Sequence, residues 1–243
     1  MATARKKSTL ANRLETENYL PLELDVTNEE SIRQALDRSI KRFGELYCVV
    51  NNAGRAILSA FEATPASAIR EMFETNFFGA IEVMRAMIPH FRERGGGRFV
   101  NVASGSAITP DPLMAAYSAS KSALEAMTEG LMFELRPQNI HLKLIEPGLV
   151  PTTNFIANTQ ESSFSIGVLP CYADVWERTM ALFSQPPTYG QATEEMVAQA
   201  IYDAASESDE GLRHIVGDDA LFYARMRRET SESVYQDWAR SRI

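Results

Sequence analysis

The sequence predicts an α/β fold built on a parallel sheet that is covered on both faces. Three observations carry that prediction. Short strand-like runs alternate with helical stretches along the chain, the pattern of strand–helix–strand units. The run Leu46 to Val50 is apolar throughout, as a strand buried on both faces is. Asn51-Asn52-Ala53-Gly54, Ser104 and Pro147-Gly148 each stand where a strand ends, and in such sheets ligands bind beyond the strands' carboxyl ends.

Residues 1 to 18 are polar and basic, without clear periodicity, and Arg5, Lys6 and Lys7 form the one basic cluster. Leu20, Leu22 and Leu24 alternate, so residues 19–24 read as a strand. Thr27-Asn28-Glu29-Glu30 has the form of a capping box, and Ile32, Leu36, Ile40 and Phe43 make the apolar stripe of the helix behind it. Gly44 stops that helix. The next helix opens with Thr64 at the cap and Pro65 in the first turn. Phe73, Phe77, Ile81, Met84 and Ile88 keep its spacing until Gly95-Gly96-Gly97 breaks it. Residues 98–103 form a strand. Pro110 and Pro112 precede a helix that runs to about Arg136, where Pro137 ends it. Residues 141–145 form a strand stopped by Pro147-Gly148. A long, partly helical segment reaches about Gln191, and Thr193 with Glu194 and Glu195 begins another helix. Residues 213–216 are a last short strand, and the tail is polar and helical.

The 243 residues suffice for one domain, 1–243, with a sizeable core. A net charge of −8 argues against a general binder of nucleic acid or anionic membrane. Cys48 and Cys171 are too few for a disulfide framework, which fits a reducing cytoplasm. There is no apolar signal core and no run of membrane-spanning length. His90, His141 and His214 have neither metal-ligand nor triad spacing, so no metal site is expected.

The chemistry concentrates in Ser104 to Lys121. Tyr117 and Lys121 are four apart, so on a helix they share a face. An ammonium beside a phenol favours the phenolate, which predicts a tyrosine able to pass a proton near neutral pH. Ser104, thirteen positions upstream at a strand end, can hydrogen-bond the same substrate oxygen. That set suits proton transfer at a carbonyl or alcohol oxygen.

Tyr117-Ser118-Ala119-Ser120-Lys121 with Ser104 upstream resembles the short-chain dehydrogenase/reductase family, and three further motifs agree in order. The resemblance implies a Rossmann-like doubly wound sheet and hydride transfer between NADP(H) and a carbonyl or alcohol. It implies Tyr117 as acid/base, Lys121 as holder of the ribose, Ser104 as the oxygen's partner, and Asn76 as a helix-disturbing residue that supports a proton relay. Asn51 would tie the sheet together, with Ala53 and Gly54 flanking the cofactor. Pro147, Gly148, Val150 and Thr152 would meet the nicotinamide. These residues read equally well as a strand stop with a surface threonine. Asp25 matches the adenine contact and reads equally as a solvated acid before a helix cap. Arg5 resembles the basic residue that meets a 2′-phosphate, which leans towards NADP with NAD open.

The first glycine is Gly44, so no glycine-rich phosphate loop precedes the first helix. Matched to the family, Met1 to Arg5 is the end of its second strand, and the sheet is expected to be incomplete at the N-terminus. Either two of the remaining strands close the gap or this polypeptide is not the whole functional unit. A non-catalytic relative acting as a binding or assembly partner, and a fragment of the active enzyme, stand as alternatives. Residues 149–187 are expected to form the substrate lid. Phe155, Ile156, Phe164 and Leu169, with Leu113 and Met114, suggest an apolar substrate face. The family's long helices, here 65–92 and 112–136, imply a homodimer or homotetramer.

Overall fold

The computed structural model describes residues 1–5, 15–184, 189–206 and 211–242. Lys6 and Lys7 of the basic cluster and residues 185–187 of the expected lid lie outside the described residues. Strand β1 (Ala2–Ala4) pairs in parallel with β2 (Pro21–Glu23), Thr3 lying beside Leu22. A second sheet carries four parallel strands in chain order: β3 (Cys48–Asn51), β4 (Gly97–Val102), β5 (Ile140–Pro147) and β6 (Arg213–Val216). Asn51 faces Asn101, Val102 faces Ile145 and Pro147 faces Val216, so the carboxyl ends gather along one edge.

The strands do not close over the expected gap. The described residues form two sheets, and β3 keeps one edge unpaired among them. Helix α1 (Glu29–Phe43) joins the two. Its Ala35 packs with Leu20 and Leu22 of the small sheet, and its Ile32 and Leu36 pack with Val49 of β3. The cap of α1 falls one residue later than the Thr27 reading. Asn28 accepts from the Ser31 amide at 2.9 Å, while the Thr27 amide and hydroxyl both donate to Asp25 Oδ1. Gly44 ends the helix with φ 77°, the left-handed region that glycine takes without a Cβ clash.

The expected helix 65–92 is α2 (Ala66–Phe73), a π-helical turn (Glu74–Phe78) and α3 (Gly79–Glu93). Thr64 is not its cap, because its hydroxyl donates back to the Ala60 carbonyl at 2.9 Å. A π turn inserts one residue into the helical period and rotates the buried face. The buried face therefore widens to Met72, Asn76, Ala80, Val83, Met84, Met87 and Phe91, with Ile81 and Ile88 of the expected stripe partly buried beside it. Phe78, beside the expected stripe, stays 45% exposed. Gly79 is required where α3 crosses the chain after β2, since a Cβ there would stand 2.7 Å from Val26 Cγ2.

Side chains alternate across the strands as the pleat demands. Val49, Phe99 and Leu142 face α1, α3 and α5 (Ala115–Leu135), and this layer holds the larger apolar cluster. Val100, Val102, Ile145 and Val216 face α8 (Glu194–Ser206). Val50, on that second face of β3, is 41% exposed. Helix α5 starts three residues after the expected 112, because Leu113 takes a φ of 59° and breaks the turn. Between β4 and α5 lies the short α4 (Gly105–Ile108). After β5 come α6 (Asn154–Phe164) and α7 (Ala173–Ser184). Helices α9 (Asp218–Glu229) and α10 (Glu232–Arg240) follow β6. No helix among the described residues is long and apolar enough to cross a membrane.

Candidate active site

The site is built on one face of α5. Tyr117, Lys121 and Glu125 are four residues apart and all buried there, Lys121 to 3% exposure. Ser104 stands two residues beyond the end of β4, and its hydroxyl faces the Tyr117 phenol closely enough to favour the ionised form. The same hydroxyl caps α4 by accepting from the Ser106 amide at 3.1 Å. Lys121 Nζ donates to the Val102 carbonyl at 2.8 Å. The serine and the phenol thus face each other just beyond β4, while the ammonium is bonded to the carbonyl at the end of β4.

Their electrostatics differ from the expectation. The Tyr117 phenol is pushed up to about 12 by burial; Ser104 opposes this and the charge of Asp111 adds to it. The ammonium that was to acidify it is turned to the Val102 carbonyl and is itself pushed down to about 8 by burial, against the pull of Glu125. The desolvation has a visible source. Ala56, Ile57, Met72 and Phe155 surround the phenol, with the Phe155 ring centre 5.8 Å away.

The end of β3 supplies the second wall. Asn51 donates to Asn101 Oδ1 at 2.8 Å, and Asn101 donates to Thr128 on α5 at 2.9 Å, so Asn51 does tie strand to strand and to helix. Asn52, Ala53 and Gly54 then run exposed. A Cβ on Gly54 would stand 3.4 Å from Lys121 Nζ and 3.6 Å from Asn76 Oδ1, which brings the two motifs together. Asn76 sits in the π turn. Its Oδ1 accepts from the Arg55 amide at 2.8 Å, and its Nδ2 donates to the Arg55 carbonyl and to Ser120 Oγ, both at 2.9 Å. The side chain therefore clasps the chain after Gly54, with both its donors engaged.

The end of β5 is the third wall. The Gly148 amide bonds to the Val216 carbonyl at 2.8 Å, and the Leu149 amide to Asp219 Oδ2 at 2.9 Å. A Cβ on Gly148 would collide with the Asp219 carboxylate, so Pro147-Gly148 is a closely packed strand end. Val150 packs into the α8-side cluster and its carbonyl accepts from Thr153, while Thr152 is exposed. Arg5 and Asp25 stand apart from this group, at the ends of β1 and β2. They lie near each other, the Arg5 charge helping to hold the Asp25 carboxyl down behind its bonds to Thr27.

Part of the expected apolar face is misplaced. Phe155 and Met114 pack at Tyr117, but Phe164 is 76% exposed and Leu169 37%. Four residues at the site escaped the sequence. Asp111 and Glu125 act on the phenol and the ammonium, Asp219 holds the Gly148 turn, and Ser163 of α6 accepts from the Leu58 amide at 2.9 Å. Only Glu125, one further helical turn beyond Lys121, carried a local signal.

The family model of the short chain dehydrogenases matches residues 1–163. An uncharacterised oxidoreductase of Schizosaccharomyces pombe is 30% identical over 232 residues, covering 95% of this chain and 94% of that protein. A crystal structure of a short-chain dehydrogenase from Streptomyces avermitilis superimposes with a TM-score of 0.78 at 29% identity, over 98% of this chain and 87% of the other. A short-chain dehydrogenase from Burkholderia cenocepacia in complex with NADP gives 0.71 at 25% identity, over 97% and 84%.

Proposed function

The chain belongs to the short-chain dehydrogenase family, and from that membership we propose an oxidoreductase that moves hydride between NADP(H) and the carbonyl or alcohol carbon of a mainly apolar small molecule. The observation that carries the reading is the Ser104 hydroxyl facing the buried Tyr117 phenol, with the buried Lys121 one helical turn along α5 and Gly54, just beyond β3, beside its ammonium.

The residues fit the nicotinamide half of such a cofactor. Gly54 leaves open the space beside Lys121 that a methyl group would enter, and the Gly148 turn brings backbone to the same edge of the sheet. Asn51, Ala53 and Gly54 would flank the ribose and nicotinamide from the β3 side. Pro147, Gly148, Val150 and Thr152 would do so from the β5 side. Lys121 would hold the ribose. Arg5 beside Asp25 supports NADP over NAD, since a guanidinium suits a 2′-phosphate. No glycine-rich turn for the pyrophosphate lies among the described residues.

When bound, the nicotinamide supplies or accepts the hydride. Ser104 holds the substrate oxygen by a hydrogen bond. Tyr117 gives its proton to that oxygen as a carbonyl is reduced, or takes one as an alcohol is oxidised. A phenol this resistant to ionisation is a weak donor until its phenolate is stabilised. The Ser104 hydroxyl stabilises that phenolate, and so does an ammonium turned from Val102 towards it. Asn76 supports the site by fixing Arg55 and so the course of the chain at Gly54. The test is the purified protein with NADPH and a panel of carbonyl compounds, beside Tyr117→Phe. Turnover that survives in the variant would remove the mechanism.

A further inference from the structure

A buried ion pair stands directly behind Ser104. The Asp111 carboxylate takes Arg242 Nη2 on Oδ1 at 2.5 Å and the Ser106 hydroxyl on Oδ2 at 2.6 Å. Ser106 in turn gives its amide to Ser104 Oγ. Both charged side chains are nearly out of solvent, Arg242 at 7% and Asp111 at 13% exposure. The guanidinium is held on all sides. It donates to the Pro110 carbonyl and to Tyr223 Oη, both at 3.3 Å, and lies 4.8 Å from the Tyr223 ring centre and 5.3 Å from that of Trp238. Helix α9 is fixed to the same loop a second time, since the Thr109 hydroxyl donates to the Tyr223 carbonyl at 3.4 Å. A guanidinium lying over two rings and bonded at once to a carboxylate, a carbonyl and a phenol has little freedom left, which suits it to setting a position.

Resting on the reading of Ser104 and Tyr117 above, we propose that Arg242 and Asp111 form a latch that positions the catalytic serine and tyrosine. The chain of contacts runs Arg242, Asp111, Ser106, Ser104, Tyr117. Arg242 and Asp111 touch neither the substrate oxygen nor the cofactor in this arrangement, and act through Ser104. The groups facing Asp111 are Arg242 beyond α10, Tyr223 and Asp219 on α9, Ser106 on α4 and Tyr117 on α5. Lys121 and Glu125 face the tyrosine from further along α5. Of all these, Arg242 is the cation bonded to Asp111. Without it the carboxylate faces the phenol unpaired.

The experiment reads Tyr117 directly and needs no turnover. The protein is labelled with 3-fluorotyrosine, and the fluorine resonance of Tyr117 is identified by its loss in Tyr117→Phe. Its titration is then followed in the wild type, Arg242→Gln and Arg242→Lys. The midpoint is expected to rise by about half a pH unit or more in Arg242→Gln. In Arg242→Lys, which keeps the charge, it returns most of the way. With a turned-over carbonyl, kcat falls about tenfold or more in Arg242→Gln, while KM changes little. A midpoint that holds or falls in folded Arg242→Gln overturns the latch. If that variant does not fold, Ser106→Ala cuts the same chain between Asp111 and Ser104. An unmoved Tyr117 resonance and kcat there would overturn it equally. Failure of the latch is an unmoved midpoint, whereas failure of the oxidoreductase reading is a Tyr117→Phe protein as active as its parent.

Discussion

At the scale of single residues the site sets two titrations against each other. Burial raises Tyr117 and lowers Lys121, so both groups are held towards their neutral forms. Replacing Tyr117 by Phe keeps the packing and removes the proton. Reduction of a carbonyl substrate should fall by about 10²- to 10⁴-fold, read as initial rates of NADPH consumption. Alcohol oxidation should gain from rising pH over the whole neutral range, because the phenolate is the required base and a raised phenol delays its formation. A flat profile of kcat/KM against pH would contradict this. Tyr117, Lys121 and Ser104 were legible because one helical turn and one strand end are local facts. Asp111 with Arg242 was not, because those residues are 131 positions apart and nothing in either neighbourhood names the other. The phenol's direction of shift was missed for a related reason. Neighbouring charge is visible in a sequence, whereas desolvation by Phe155 and Met72 is a property of the folded chain.

At the scale of elements, β6 is fastened to α5 and β5 through one guanidinium, and α9 reaches β5 through a second. Arg213 bonds Glu125 at 2.8 Å and Glu129 at 2.6 Å and also bonds Glu146, while Arg228 stands 3.7 Å from Glu146. Glu146 is fully buried, so Arg213→Ala leaves a carboxylate without its main partner and should destabilise the fold by about 3–5 kcal/mol in urea unfolding. Glu125 is held above its ordinary 4.5 by burial, with the nearby Glu146 charge adding and Arg213 opposing. A carboxyl raised on folding stabilises most fully below its unfolded value, and that contribution fades as the pH climbs through the folded one. The melting temperature of Glu125→Gln should therefore decline less than the wild type's between pH 4.5 and neutrality. A parallel decline in the two proteins would reject the assignment. The elements themselves were largely legible, because each follows from spacing, capping and glycine. The misjudged boundaries, Thr27 for Asn28 and 112 for 115, fall where a side chain satisfied a different backbone group or a residue took positive φ.

At the scale of the molecule, two sheets are held together by α1 and by the packing of Val26, just after β2, on α3. β1 and β2 contribute three residues each and lean on α1, whereas β4 and β5 lie inside the four-stranded sheet between two helical layers. Amide exchange should be correspondingly uneven: Thr3 and Leu22 exchange well before Val100 and Leu144, by mass spectrometry of peptic fragments. Equal protection would mean that the small sheet draws support from contacts other than those of α1 and α3. The separation of the sheets was legible as a missing neighbour for β3, and its outcome was not, because whether strands close a gap depends on the helix packed across it. The ring of Phe155 on Tyr117 has a last consequence, for admission to the site. A substrate that takes that ring's place beside the phenol displaces a partly buried phenylalanine, at a cost below the roughly 1.5–3 kcal/mol of a fully buried one. Binding is then a barter of one greasy surface for another. A guest smaller than the ring arrives at a loss, and a bulkier one recovers the difference. Phe155→Ala should accordingly lower KM for the smallest carbonyl compounds most of all.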